Sequence, residues 1–316
     1  MSNYKTLKGL YIKHVSSDPS NLIAGQIWYN TTTQTLKAAP LLEAWGAGGN
    51  LTTGRHNLAG TGTLTAGLIF GGTPPVTGKT EEYDGSSWTE SGDLGTTRDS
   101  LHGFGTQTAA VGAGGYKSPS PGFKGEVEEY DGSTWSEVTN LPATRAQHAA
   151  AGTLTAGIVF RGHDLNDANI ENTQEYDGTN WTAGGVMNVH TRYSSGAGTQ
   201  TTAIAIGGED DTDSTEEYDG SSWTNGGNLN TGRHSAAASG TSATALYMGG
   251  NPNRTTTEGY DGSAWAAKPA LASGQEDTCG STTGTAVAAF IAGGSPGLNN
   301  VEEFTGTVTA RSVDTT

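Results

Sequence analysis

The sequence predicts an all-β fold of six four-stranded blades, and three observations carry that expectation. The string Tyr-Asp-Gly-x-x-Trp occurs five times, at Tyr83–Trp88, Tyr130–Trp135, Tyr176–Trp181, Tyr218–Trp223 and Tyr260–Trp265. A sixth copy at Phe304-Thr305-Gly306 lacks the tryptophan, which stands instead at the other end of the chain as Trp45; successive tryptophans lie 42 to 47 residues apart, the length of a propeller blade. Composition agrees: 49 glycines and only 33% hydrophobic and 15% charged residues would fit disorder, but disordered chains lack regularly spaced aromatics, and here 7 Trp and 11 Tyr recur.

Each repeat divides into four strands. A small-residue stretch such as Ser235-Ala236-Ala237-Ala238 comes first, then an apolar strand ending in Gly-Gly, as in Leu68-Ile69-Phe70-Gly71-Gly72. A polar loop leads to the Glu-Glu-Tyr strand, Asp-Gly supplies the positive φ of a tight hairpin, and Trp opens the last strand. The small-residue strand belongs innermost, where blades converge on an axis, while Trp45, Trp88, Trp135, Trp181, Trp223 and Trp265 fit the wider wedges between blades. The sixth repeat has three strands near the C-terminus and the segment around Trp45 is a lone fourth. Pairing them closes the ring and removes open sheet edges. The expected division is an arm over residues 1–40 and a propeller over 41–316.

From Leu41 to about Val308 the chain resembles the kelch family, on the Gly-Gly doublet, the later Tyr and the Trp. It departs at Arg161-Gly162, which replaces the doublet in repeat three, and in its short Tyr–Trp gap.

Comparing the repeats suggests a charged ring. An arginine follows each Trp, at Arg55, Arg98, Arg145, Arg192 and Arg233, with Gln275 in the sixth place; the interval is ten residues, or eleven for Arg192. The residue before each Tyr or Phe is Glu82, Glu129, Glu175, Glu217, Gly259 or Glu303. If each arginine meets the glutamate of the preceding repeat, the one missing acid and the one missing base fall in the same pair. The expected contacts are Arg98–Glu82, Arg145–Glu129, Arg192–Glu175, Arg233–Glu217 and Arg55–Glu303, as charge-assisted bonds between blades. Solvated surface charges are the alternative.

Searching for chemistry yields no catalytic constellation, and the chain is expected not to be an enzyme and to need no cofactor. Asp84-Gly85-Ser86-Ser87-Trp88 resembles a sialidase Asp box, but the Asp directly precedes the Gly in every copy, which reads as a hairpin. A glycosidase needs two carboxylates across a bond, whereas these acids recur at equivalent positions. Cys279, the one cysteine, excludes an internal disulfide and reads as a small buried residue. His14, His56, His102, His148, His163, His190 and His234 lack metal-ligand spacing. The acidic run Glu209 to Asp213 lacks the Gly and distal Glu of an EF-hand loop and reads as solvated, with calcium as the alternative. A formal charge of −16 argues against nucleic acid. No apolar run is long enough to cross a membrane and residues 1–14 lack a signal-peptide core, so a soluble chain outside signal-dependent secretion is expected.

Loop variation is what remains, and scaffolds carry binding function there. Between the Gly-Gly position and the Glu-Glu strand, repeats four, five and six have seven residues and repeat one has eight. Repeat two has twelve, with Tyr116, Lys117, Pro119, Pro121, Phe123 and Lys124; repeat three has eleven, with His163, Asp164, Asn166 and Asp167. These adjacent loops are the candidate ligand-binding residues, with neutral insertion as the alternative.

Residues Gly25 to Lys37 read as a β-hairpin, and about forty residues without disulfide or metal seldom hold their own core. The arm is therefore expected to pack on the propeller or dock on another chain through the apolar edge of Ile27, Trp28 and Tyr29. Gly25-Gln26-Ile27-Trp28-Tyr29-Asn30-Thr31-Thr32 resembles a segment common near the start of phage tail and virion proteins, and the repeat wording is similar to that of kelch-like proteins of marine phages. The resemblance implies a phage virion component of tail-fibre or appendage type, present in many copies, held by other virion proteins through its arm and displaying the propeller to a host-surface glycan or protein. A purely structural decoration or tail-assembly subunit is the second reading, and a glycan-processing enzyme the third.

Overall fold

The computed structural model describes residues 12–118, 122–166 and 168–313, and among these every regular element is a strand. The 28 strands form seven four-stranded sheets in a β-propeller-like, all-β architecture. The chain divides into a smaller unit, residues 1–44 with 305–316, and a larger one, residues 45–304. The division falls four residues beyond the expected boundary, and the C-terminal segment goes with the N-terminal one.

In the smaller unit, β1 (Lys13–Val15), β2 (Ile27–Asn30) and β3 (Thr35–Ala38) form one sheet with the C-terminal β28 (Arg311–Ser312), in the order β1-β2-β3-β28. β1 runs parallel to β2, and β3 is antiparallel to both its neighbours. The expected hairpin is β2–β3. Alternation of side chains along β2 corrects the expected apolar edge: Trp28 is 0% exposed and points away from the face of Ile27, which is 52% exposed. Trp28 Nε1 donates to Asp18 Oδ1 at 3.0 Å and Asn30 Nδ2 donates to the same oxygen at 2.9 Å. These two donors hold the Asp18 carboxyl below its usual range. Trp28 is thus buried and does not belong to an exposed apolar edge. Tyr29, on the Ile27 face, lies 5.1 Å from the His14 ring.

The repeats build the other six sheets. After β4 (Leu41–Ala47), repeat one comprises β5 (Ala59–Thr63), β6 (Ala66–Phe70), β7 (Thr80–Tyr83) and β8 (Trp88–Glu90). Repeat two comprises β9 (His102–Thr106), β10 (Ala109–Ala113), β11 (Val127–Tyr130) and β12 (Trp135–Glu137). Repeat three has β13 (Ala149–Thr153), β14 (Ala156–Phe160), β15 (Gln174–Tyr176) and β16 (Trp181–Ala183); repeat four has β17 (Ser195–Thr199), β18 (Thr202–Ile206), β19 (Thr215–Tyr218) and β20 (Trp223–Asn225). Repeat five has β21 (Ala237–Thr241), β22 (Thr244–Met248), β23 (Thr257–Tyr260) and β24 (Trp265–Ala267). The sixth sheet joins β25 (Cys279–Gly280), β26 (Ala288–Ala292) and β27 (Val301–Val308) to β4, so its fourth strand comes from the N-terminal side.

The first strands β5, β9, β13, β17, β21 and β25 neighbour one another in chain order, and β25 also neighbours β5. Two residues before each stands one with φ between +51° and +58°: Asn57, Ser100, Gln147, Tyr193, Ser235 and Asp277. Their amides form a cycle. Ser100 N donates to Asn57 O, Gln147 to Ser100, Tyr193 to Gln147, Ser235 to Tyr193, Asp277 to Ser235, and Asn57 back to Asp277, all at 2.8–3.0 Å. Gly60, Gly103 and Gly196 show why the strands are small: a Cβ at any of them would fall within 3.0 Å of a neighbouring side chain.

Tryptophans fill the seams between repeats. Trp88, Trp223 and Trp265 are 5–6% exposed, while Trp45, Trp135 and Trp181 are half-buried. Trp135 packs on Phe70 of repeat one at 4.6 Å and Trp223 on Phe160 of repeat three at 4.8 Å. In each Asp-Gly hairpin the aspartate accepts two backbone amides, as Asp84 Oδ1 does from Ser86 and Ser87 at 2.8 Å, and the following glycine takes positive φ (Gly85, +91°). These amides and the serine hydroxyl push Asp84 down to about 2. The repeated aspartates are turn residues.

The charged ring differs from expectation in its partners. Arg55 bonds Glu81 at 2.9 Å, Arg98 bonds Glu128 at 2.6 Å and Arg233 bonds Glu258 at 2.5 Å, each within its own repeat, and Gln275 Nε2 donates to Glu302 at 3.1 Å. The first glutamate of Glu-Glu-Tyr is therefore the ion-pair partner. The pleat explains this: Glu81 and Tyr83 share one face of β7, and Thr80 and Glu82 share the other. Glu82, Glu129, Glu175, Glu217 and Glu303 do tie adjacent repeats, but by accepting the phenol of the next one. Tyr176 donates to Glu129 at 2.7 Å, Tyr218 to Glu175 at 2.5 Å, Tyr130 to Glu82, Tyr260 to Glu217 and Tyr83 to Glu303. Burial and the adjoining carboxylate push Tyr83, Tyr130, Tyr218 and Tyr260 up to about 12. Gly259, the missing acid, would face Phe304, which has no hydroxyl. The paired loss is real, with Phe304 and not Gln275 as the counterpart.

Repeats three and four depart together. Thr191, ten residues after Trp181, occupies the register position: Gly162 N donates to Thr191 O just as Gly72 N does to Arg98 O. Arg192 lies one residue beyond and pairs with Glu209 at 2.7 Å. Glu216 is bonded instead by Arg161, at 2.9 Å, from the altered doublet of repeat three. Arg145, facing Gln174 where other repeats have glutamate, donates to Asn172 Oδ1 at 2.7 Å.

Candidate functional site

The two long loops converge on one pocket of 330 Å³, lined by Asp99, Ser100, Tyr116, Phe123, Ala146, Gln147 and His163. Short β-bridges fix its walls. In repeat two Asp99 pairs with Tyr116 and Tyr116 with Phe123; in repeat three Ala146 pairs with His163 and His163 with Asn169. Asp99 and Tyr116 exchange both backbone bonds, at 2.9 and 2.7 Å, and Lys117 N donates to Gly122 O at 2.9 Å. The insertions thus prolong the ladder beyond the Gly-Gly position. Repeat one, with its shorter loop, has the bridge His56–Thr73 but no second one among the described residues.

Three rings meet there. Tyr116 and Phe123 stand 5.5 Å apart at 79°, and Phe123 and His163 stand 4.9 Å apart at 88°. Beside them the Asp99 residue is 8% exposed. Its Oδ1 accepts the Ser100 hydroxyl at 2.8 Å, and its Oδ2 accepts no hydrogen bond among the described residues. Burial raises the Asp99 pKa against the opposing Ser100 bond. The pocket offers an acceptor with spare capacity, a hydroxyl, a carboxamide and an apolar wall.

The candidate loop residues therefore separate. Tyr116, Phe123 and His163 come together. Lys117 is exposed beyond the lining, and Lys124 pairs with Glu126 at 3.5 Å. Asp164 is half-buried and holds its own turn by accepting Asn166 N at 2.9 Å and Ala168 N at 3.1 Å. Asn166 is exposed on that turn. Asp167, Pro119 and Pro121 lie outside the described residues. Asp99, Ser100, Ala146 and Gln147 were missed by sequence reasoning. The signal was present, since the position after the register arginine varies from His56 to Asp99, Ala146, His234 and Glu276 while its neighbours repeat.

Elsewhere the acidic run has side-chain partners: Glu209 has Arg192, and Asp211 has His234 at 3.0 Å and Arg254 at 3.9 Å. Among the described residues no group of three or more His, Cys, Asp or Glu is placed to hold a metal. Cys279 is buried at the start of β25, and burial pushes its thiol up to about 12. A second cavity, of 40 Å³, opens inside the cycle of amides, lined by Asn57, Gln147, Tyr193, Ser194 and Asp277 among others.

No protein-family model matches the chain, and no curated protein matches it. Among solved structures it is similar to one described as the structure of YjhT, with a TM-score of 0.65 and 14% identity over 82% of this chain and 99% of that one. At that identity the likeness carries the fold alone.

Proposed function

We propose that this chain is a non-enzymatic bacteriophage virion protein: a six-bladed, kelch-like propeller closed by its N-terminal strand, carried in many copies on the particle and presenting a pocket to the host surface. The closed cycle of six backbone hydrogen bonds and the place of β4 beside β27 support the six-bladed reading. The Gly25–Thr32 resemblance supports the virion assignment, with the smaller unit held by another virion protein through its Ile27 and Tyr29 face. The observation that carries adhesion is the loop pocket: insertions confined to two neighbouring repeats bring three aromatic rings to a buried carboxylate. Repeated acids at equivalent positions serve in hairpins, in ion pairs and as phenol acceptors, so the binding function falls to the two loops that are longer than those of the other repeats.

The test is competition. Purified full-length chain added to host cells is expected to occupy receptors and slow adsorption of intact particles, and Phe123→Ala chain is expected to lose that effect. A gold-labelled antibody should find the propeller exposed on the particle. Unchanged adsorption with a label buried between other virion proteins would replace adhesion by a structural role.

A further inference from the structure

We infer that the pocket between repeats two and three takes one uncharged pyranose ring. This rests on the adhesion reading and narrows it to a ligand class. The Asp99 residue is 8% exposed, its Oδ1 accepts the Ser100 hydroxyl, and Oδ2 accepts no bond among the described residues. That oxygen keeps free accepting capacity at the pocket, and a ligand that brings donors to it gains charge-assisted hydrogen bonds. Vicinal hydroxyls do so, and Ser100 and Gln147 in the lining offer further polar partners. The apolar side of a sugar ring matches the wall of Tyr116 and Phe123, since concave sites combine apolar lining with a few placed polar groups. The volume of 330 Å³ lies at the small end of ligand pockets.

Charge excludes a neighbouring class. An acidic sugar would set a second anion beside Asp99, and the seven lining residues include neither Lys nor Arg. Lys124 is engaged by Glu126. Like charges at such range oppose each other and serve as a rejecting element.

The full-length chain should be titrated, by ligand-observed NMR, with methyl glucoside, galactoside and mannoside, with glucuronate and galacturonate, and with choline. At least one neutral glycoside is expected to bind with a dissociation constant on the order of millimolar, and its uronate about tenfold more weakly or less. Asp99→Asn and Phe123→Leu, each checked for an unchanged circular dichroism spectrum, should each weaken the neutral sugar about tenfold. Should Asp99→Asn disturb folding, Phe123→Leu alone decides. Uronates binding as well as neutral sugars, choline binding while no neutral sugar does, binding indifferent to the substitutions, or no binding at all would each overturn the assignment. The adhesion reading is judged separately, by competition for host cells, and would survive any of these results.

Discussion

Two adjacent glutamates of β11 show how one residue step changes a role. Glu128 is buried and bonded by Arg98, itself 0% exposed, and by the amides of Gly95 and Thr96. Glu129 faces the next repeat and accepts one phenol, from Tyr176. Removing one partner of a buried pair strands the other charge, at about 3–5 kcal/mol; losing one partly buried neutral bond costs about 1 kcal/mol. Glu128→Ala is thus expected to lower the urea midpoint far more than Glu129→Ala, and equal losses would mean that the ion pair contributes little. A second prediction concerns Trp88 Nε1, which is buried and has no partner among the described residues. Trp135, Trp223 and Trp265 donate to Thr80, Thr173 and Thr215 of the preceding repeat, but the residue at that position for Trp88 is Val301. Val301→Thr should supply the acceptor and stabilise by about 1 kcal/mol. Val127→Thr, where Trp181 already donates to Thr139 O, buries a new hydroxyl without that gain and should destabilise. Matched equilibrium unfolding curves of the two variants check the contrast.

At the scale of the element, the seams between repeats share two bonds: phenol to glutamate, and, for Trp45, Trp135, Trp223 and Trp265, indole to a threonine hydroxyl. The seam between repeats five and six has lost the first of these on both sides, at Gly259 and Phe304. A Cβ at Gly259 would meet the Lys268 side chain, its nearest atom at 2.4 Å, which is the flexible end of a long residue and can move. Gly259→Glu and Phe304→Tyr should each destabilise, because each buries a polar group without its partner. The double variant should recover, with a coupling energy of about 1 kcal/mol in a double-mutant cycle. Strict additivity would mean that the other seams do not depend on this bond. These seams also show what was legible in the sequence. The repeat, the four strands, the hairpins and the N-terminal fourth strand followed from spacing and turn chemistry. The ring partners did not, because choosing between Glu81 and Glu82 needs the pleat relative to the next sheet, which spacing along one chain does not contain. Thr191 was missed for a related reason: the search followed the arginine, whereas the backbone kept the interval of ten. The aromatic half of the loop pocket was legible as an insertion; its carboxylate was not, since Asp99 comes from the strand side of the repeat.

At the scale of the whole molecule, a cycle of six amides runs from Asn57 through Asp277 and back, and its last link joins residues 220 positions apart. Closing so long a loop costs entropy, so the fold depends on what holds the two ends of the repeat array together. One holder is the sixth sheet, where β4 lies beside β27. Trp45 Nε1 donates to Pro269 O at 2.9 Å and to Thr257 Oγ1 at 3.2 Å, and its ring lies 5.1 Å from Phe304. The larger unit begins at Trp45, whereas β1–β3 belong to the smaller one. Two truncations therefore separate the roles of the two N-terminal segments. Removing residues 1–40 takes away three strands of the small sheet but leaves β4, and the larger unit should melt within a few degrees of the full chain. Removing residues 1–50 strips the sixth sheet of its fourth strand, uncovers β27 as an open edge and deprives Phe304 of its ring partner. That chain should melt at least about ten degrees lower, as a loss of several kcal/mol shifts a domain of this size, and should associate on standing. Calorimetry of both truncations alongside the full chain measures the difference. Equal melting temperatures would show that the array closes without its N-terminal strand, and the proposed six-bladed ring would then need another clasp.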